Sequence, residues 1–107
     1  MLLRTKRRYA VLDDFFLVLS NRQRVRILQA LSSEGPMNVG QISDELGIQQ
    51  SAVSHCMQRL RACHFVAVQQ RGKERVYTIN EDTVRPLFDL IDEHVRKYCA
   101  KECRHWE

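Results

Sequence analysis

At 107 residues the chain suits a single domain with a modest core, and 44% apolar with 28% charged residues excludes a disordered polypeptide. A net charge of +4 and a pI of about 9.1 favour a polyanionic partner, although charge speaks to attraction and not to fold. No apolar run approaches the roughly 18 residues of a membrane span. Asp13 and Asp14 interrupt the apolar stretch behind the basic N-terminus, so no secretory leader is expected. The expected location is the cytoplasm, where the four cysteines are reduced thiols or ligands and not structural disulfides.

In chain order, Arg4, Lys6, Arg7 and Arg8 give residues 1–8 the character of a loose basic arm. Leu12, Phe15, Phe16 and Leu19 recur at helical spacing and predict a first helix over about 8–19. Ser20-Asn21 caps a second helix carrying Val25, Ile27, Leu28 and Leu31, and the run from Ser32 through Gly35-Pro36 ends it. Residues 37–39 read as a minimal strand. A short helix over 40–46, the break at Gly47 and a longer helix over about 49–63 have the form of a helix-turn-helix. Two β-prone segments, 65–70 and 75–79, flank Arg71-Gly72-Lys73-Glu74 and predict a hairpin, the wing. The last helix is expected over 81–103. Its stripe of Val84, Leu87, Phe88, Ile91, Val95 and Tyr98 exceeds what so small a fold can cover. With the first helix it predicts a homodimer interface. The expected architecture is a mainly α winged helix-turn-helix with one small β-hairpin, in the order α-α-β-α-α-β-β-α, as one domain over 1–107.

Four segments resemble the ArsR-type repressor family. Residues 19–28 resemble its "LadptRlrIL" opening, and Ser51-Ala52-Val53-Ser54-His55 its "SavSHHL" recognition helix. Leu60 through Val66 resembles the "LreaGLV" exit into the wing, and Arg71-Gly72-Lys73 through Val76-Tyr77 the "reGrwvyY" wing. They stand in the family's order and cover about residues 15–95. The resemblance implies a dimeric DNA-binding repressor that leaves its operator when an inducer binds, often a metal or metalloid.

On such a fold the recognition helix offers Gln49, Gln50, Ser51, Ser54 and His55 to base edges of double-stranded DNA. Gln pairs bidentately with adenine, whereas no Arg is placed to read guanine, so direct readout is expected to be moderate. Arg59 and Arg61, with Arg71, Lys73 and Arg75 in the wing, suit phosphates, which position without reading sequence. A two-fold dimer then requires a near-palindromic operator. Helix capping and ordinary surface polarity account for the same side chains if no DNA is bound.

The family's inducer sites carry over position by position. Its Cys-x-Cys pair falls on Asn38 and Gly40, which have no thiol. Its zinc-type site falls on Glu81, Thr83, His94 and Lys97, where a cation stands in place of an anion. Cys63 matches a ligand of a cadmium/lead sensor in the family, whose other recognition-helix ligand falls on Arg59. The same position usually holds a small buried residue, so Cys63, like Cys56, is expected to pack. Cys99 and Cys103 are four apart and share a helix face. With His105 they suit As(III), Cd(II) or Pb(II), and nearby Lys97, Lys101 and Arg104 favour reactive thiolates. Cys99 also extends the apolar stripe, so sensor and packing both stand. Cys-x-x-x-Cys is not the redox-enzyme motif, and no catalytic triad, phosphate loop or carboxylate pair appears, so no enzyme is expected. The alternatives are a plain repressor without a metal site, or a protein-binding winged helix, which predicts an uncharged wing.

Overall fold

The computed structural model describes the backbone of residues 2–99 and the side chains of residues 9–99. Five helices and one hairpin follow in the order α1 (Leu2–Leu19), α2 (Arg22–Glu34), α3 (Val39–Leu46), α4 (Gln50–Ala62), β1 (Val66–Arg71), β2 (Glu74–Ile79) and α5 (Val84–His94). A π-helical segment, Val95–Cys99, continues α5. This is the winged helix-turn-helix arrangement.

Local chemistry sets each boundary. Asn21 caps α2, its Oδ1 accepting from the Arg24 amide at 3.0 Å. Gly35, at φ 85°, ends that helix in a conformation that side chains disfavour. Asn38 opens α3 with a capping box: its Oδ1 accepts from the Gln41 amide at 2.7 Å, and Gln41 Oε1 accepts from the Asn38 amide at 2.9 Å. Gly47, left-handed at φ 66°, makes the turn between α3 and α4. The hairpin pairs Val66 with Ile79 through Arg71 with Glu74. Its two-residue loop has Gly72 at φ 65° and Lys73 at negative φ, the signature of a type II′ turn.

The core lies where α2, α3 and α4 meet the base of the hairpin. Ile27, Leu28 and Leu31 of α2, Ile42 of α3, Val53, Met57 and Leu60 of α4, and Phe65 are all fully buried. Val18 ties α1 to this cluster, and Phe15 stacks on Phe65 with ring centroids 4.9 Å apart.

Four expectations are corrected. The basic arm is no loose segment from residue 2 onward, because a run of Leu, Arg and Lys without Gly or Pro extends α1 to Leu2. The minimal strand at 37–39 shrinks to a single bridge between Met37 and Tyr77, since the Asn38 cap turns Val39 into helix. The last helix starts at Val84, not Glu81. Asn80 Oδ1 accepts from the amides of Asp82 and Thr83 and holds those residues in a turn. Residues 100–103, the rest of that helix as expected, lie outside the described residues. Cys63, finally, is exposed at the C-terminal end of α4, because His64 turns the chain away there and Phe65 fills the core instead.

His64 occupies the glycine position of the family's "LreaGLV" pattern and is left-handed, at φ 61°. A left-handed residue with a Cβ costs on the order of 1 kcal/mol. His64→Gly is therefore expected to raise stability by about 0.5–1 kcal/mol, read as a higher urea midpoint at unchanged m. An unchanged or lower midpoint would show that no strain is held at this turn.

Candidate nucleic-acid interface

α4 is divided lengthwise by its own sequence. Val53, Cys56, Met57 and Leu60 are buried, which turns Gln50, Ser51, Ser54, His55, Gln58, Arg59 and Arg61 outward. Steps of four and three place Gln50, Ser54, Gln58 and Arg61 on one stripe, and Ser51, His55 and Arg59 on the next. Gln49 precedes the helix at the N-cap position without a capping hydrogen bond from its side chain, and is exposed.

The wing stands across from the first of these stripes. A cleft of about 620 Å³ separates them, with Ser54, Gln58 and Arg61 on one wall and Lys73 and Arg75 on the other. Met57 and Tyr77 lie between the walls. The fold thus brings Ser54, Lys73 and Arg75 together. Gln49, Gln50, Ser51 and His55 lie along the exposed face of α4, while Arg59 and Arg71 lie outside the cleft lining. Gln58 was missed by sequence reasoning, although its spacing of four from Ser54 was available to find it. Asn38 was missed as well.

Among the described residues, the ion pairs are Arg85–Glu81, Arg96–Asp92 and Lys97–Glu93, all at the α5 end of the chain. None involves Arg59, Arg61, Arg71, Lys73 or Arg75, so the cleft walls and wing tip carry cations outside any ion pair, with Glu74 the one acid among them, beside hydrogen-bonding amides and hydroxyls. Cations of this kind meet phosphate oxygens, and the amides meet base edges.

The family model of bacterial regulatory proteins of the arsR family matches residues 21–68, from the start of α2 into β1. Over 86 residues the chain is 30% identical to an HTH-type transcriptional regulator of Methanocaldococcus jannaschii, covering 80% of this chain and 97% of that one. The chain belongs to the arsR family. It is a DNA-binding transcriptional regulator. Its fold matches that of Mb0332 from Mycobacterium bovis, a homodimeric winged helix-turn-helix DNA-binding domain, with a TM-score of 0.82 at 22% identity over 95% of this chain and 94% of that one. The transcriptional repressor PagR of Bacillus anthracis superposes with a TM-score of 0.65 at 28% identity, over 78% of this chain and 98% of that one.

Side chains at the positions of the family's two inducer sites make other contacts here. Asn38 serves as the α3 cap, and Glu81 holds Arg85. Lys97 pairs with Glu93 at 2.7 Å, and His94 packs against Tyr98 with ring centroids 5.2 Å apart. Among the described residues no group of three or more His, Cys, Asp or Glu side chains is disposed to hold a metal ion. Cys99 is half-buried at the end of the π-helical segment, and Cys103 and His105 lie outside the described residues. Cys56 is buried, with its thiol 3.8 Å from Gln23 Oε1, and burial pushes its pKa up against the opposing pull of Arg24.

Only the thiolate attacks an electrophile, so Cys63 and Cys56 must differ in reactivity. In the folded protein at neutral pH, iodoacetamide is expected to modify Cys63 at least about tenfold faster than Cys56, followed by peptide mapping. Equal rates would show that α4 is not packed as described.

Proposed function

We propose that this regulator is a homodimeric repressor that reads a near-palindromic operator with α4 and grips the flanking phosphates with its wing. Chief support comes from the cleft, whose two walls present Ser54, Gln58 and Arg61 against Lys73 and Arg75. In this reading Gln49, Gln50, Ser51, Ser54 and His55 meet base edges, and Arg59, Arg71, Lys73 and Arg75 meet phosphates. A basic wing favours this over a purely protein-binding winged helix.

Dimerisation is supported by apolar surface that one chain leaves uncovered. Tyr9, Leu12 and Phe16 of α1, with Leu90, Ile91, Val95 and Tyr98 at the α5 end, are 41–65% exposed. Leu87 and Phe88 are only partly exposed and Val84 is buried, so the predicted stripe turns outward toward its C-terminal half. The homodimeric state of Mb0332, on the same fold, agrees with this. No described helix is long and apolar enough to cross a membrane, and we place the protein in the cytoplasm with its DNA.

The inducer arm of the proposal rests on the spacing of Cys99 and Cys103, with His105 close behind. Soft thiolate ligands four residues apart in the sequence suit As(III), Cd(II) or Pb(II). The same pair suits an oxidant, and Cys63 is a further exposed thiol.

Fluorescence anisotropy with duplex DNA from the protein's own promoter tests the reading. Each phosphate contact adds about one to the slope of log K against log salt, so Lys73→Ala/Arg75→Ala is expected to lower that slope by about two. Gln50→Ala should instead cost about 1–3 kcal/mol on the cognate duplex and almost nothing on a scrambled one. Phe16→Glu, at an exposed position, should give a folded monomer with operator affinity lost. A salt slope untouched by the wing variant would overturn the wing's role. For the inducer arm, Cd(II) or As(III) should release the reduced protein from DNA, and Cys99→Ser/Cys103→Ser should abolish that release. Release that survives the double substitution would rule those thiols out.

A further inference from the structure

Glu74 is the one acid in a wing tip otherwise made of Arg71, Lys73 and Arg75, and its carboxylate has a choice of partners. Lys73 and Arg75 are its chain neighbours and Arg71 is its cross-strand partner. It pairs with none of these. Its Oε1 accepts instead from Asn38 Nδ2, a neutral amide 36 residues earlier, at the head of the helix-turn-helix. The Asn38 carboxamide is therefore used at both ends, with Oδ1 capping α3 and Nδ2 holding the wing.

One residue before Asn38, the Met37 amide donates to the Tyr77 carbonyl at 3.0 Å, and the Tyr77 amide donates to the Met37 carbonyl at 2.8 Å. Tyr77 and Glu74 are three residues apart on β2, about 10 Å along a strand. Buried Val66, Val76, Tyr77 and Ile79 hold the hairpin at its base. Glu74, about 10 Å beyond Tyr77, is the hold nearest the tip and fixes the angle of the outer wing. Lys73 and Arg75 flank the outer point, so that angle decides where their charges sit relative to Ser54, Gln58 and Arg61 across the cleft.

We propose that the Asn38–Glu74 hydrogen bond is a clasp that fixes the wing against the recognition helix, making Asn38 a positioning residue for DNA binding. This rests on the wing meeting DNA, as proposed above. The acid in the basic tip is thereby explained: it anchors the cations beside it, and Asn38 keeps it directed toward α3.

Substitutions that keep the α3 cap separate the clasp from folding, because Ser and Asp cap as well as Asn. Asn38→Ser caps α3, is too short to reach Glu74, and leaves the charge unchanged. It should weaken binding to the promoter duplex about fivefold, the worth of one net hydrogen bond, with the thermal midpoint preserved. Glu74→Gln keeps the acceptor and removes an anion, so it should bind at least as tightly as the unaltered chain. Asn38→Asp sets two carboxylates against each other and should bind worse than Asn38→Ser. Asn38→Asp/Glu74→Gln reverses donor and acceptor at unchanged net charge and should recover the original affinity.

Repulsion between the two carboxylates of Asn38→Asp by itself makes the double variant bind better than the sum of its singles, so the clasp is read from the charge-neutral Asn38→Ser and from the double variant's return to the original affinity. An Asn38→Ser chain that binds like the original, or a double variant that stays about fivefold weaker than the original, overturns the clasp. If those results accompany a normal loss of salt slope in Lys73→Ala/Arg75→Ala, the wing reading stands and the clasp alone falls. An unaltered slope in that wing variant removes both.

Discussion

The placing of the wing beside the recognition helix depends on the ring of Phe65. It sits where α4 has ended and β1 has not begun, and it is almost fully buried. Its ring stacks on Phe15 of α1, its amide donates to the Leu60 carbonyl at 2.8 Å, and its carbonyl accepts from the Asn80 amide at 2.9 Å. One residue thus joins the first helix, the end of the recognition helix and the exit of the wing. Burying a phenyl ring contributes about 1.5–3 kcal/mol, and an aromatic pair adds on the order of 1 kcal/mol. Against a total stability of about 5–15 kcal/mol, this contact is a substantial share of what keeps the wing beside α4.

Other joints are made by cations that a charge count would assign to DNA. Arg24 donates from Nε to the Val18 carbonyl at 2.7 Å and from Nη2 to the Leu17 carbonyl at 3.1 Å, satisfying the last turn of α1. Arg85 does the same for α2, donating to the Ser32 carbonyl and hydroxyl at 3.0 and 3.2 Å while held by Glu81. Helix C-termini carry partial negative charge, which suits a guanidinium. The net charge of +4 therefore overstates the cations that remain for a polyanion. Among the described residues, those outside any ion pair include Arg59 and Arg61 of α4 and Arg71, Lys73 and Arg75 of the wing, with Arg22 and Arg26 on α2.

Where the sequence was legible, the signal was local. Asn21, Gly35, Gly47 and Gly72 each announce a boundary by their own conformational chemistry, and the hairpin and helix-turn-helix followed from them. The helix-turn-helix form put Gln50, Ser54 and His55 in the N-terminal half of the recognition helix, so they could be named. Legibility failed where a side chain acts at a distance. Asn38 looked like part of a minimal strand because its capping of α3 and its reach to Glu74 depend on two other elements. The delayed start of α5 depends on Asn80 using its side chain on the backbone, a choice that the apolar stripe does not encode. Cys63 looked buried by family position, yet the left-handed turn at His64 swings the core position to Phe65.

The recognition helix is consequently fixed from opposite ends by different means. At its C-terminal end, Asn80 Nδ2 donates to the His64 carbonyl at 2.8 Å while Asn80 Oδ1 holds the turn that starts α5. The same residue therefore touches both the exit of α4 and the entrance to the helix whose apolar face is uncovered. At the N-terminal end, Ser43 Oγ donates to the Ile48 carbonyl, and the Ile48 amide donates to the Ser43 carbonyl at 3.2 Å, closing the turn before Gln49 and Gln50. The end that bears Gln50 and Ser51 is thus set by a short, internally bonded turn. The far end is set by the Asn80 joint, which lies remote from Gln50 and Ser51.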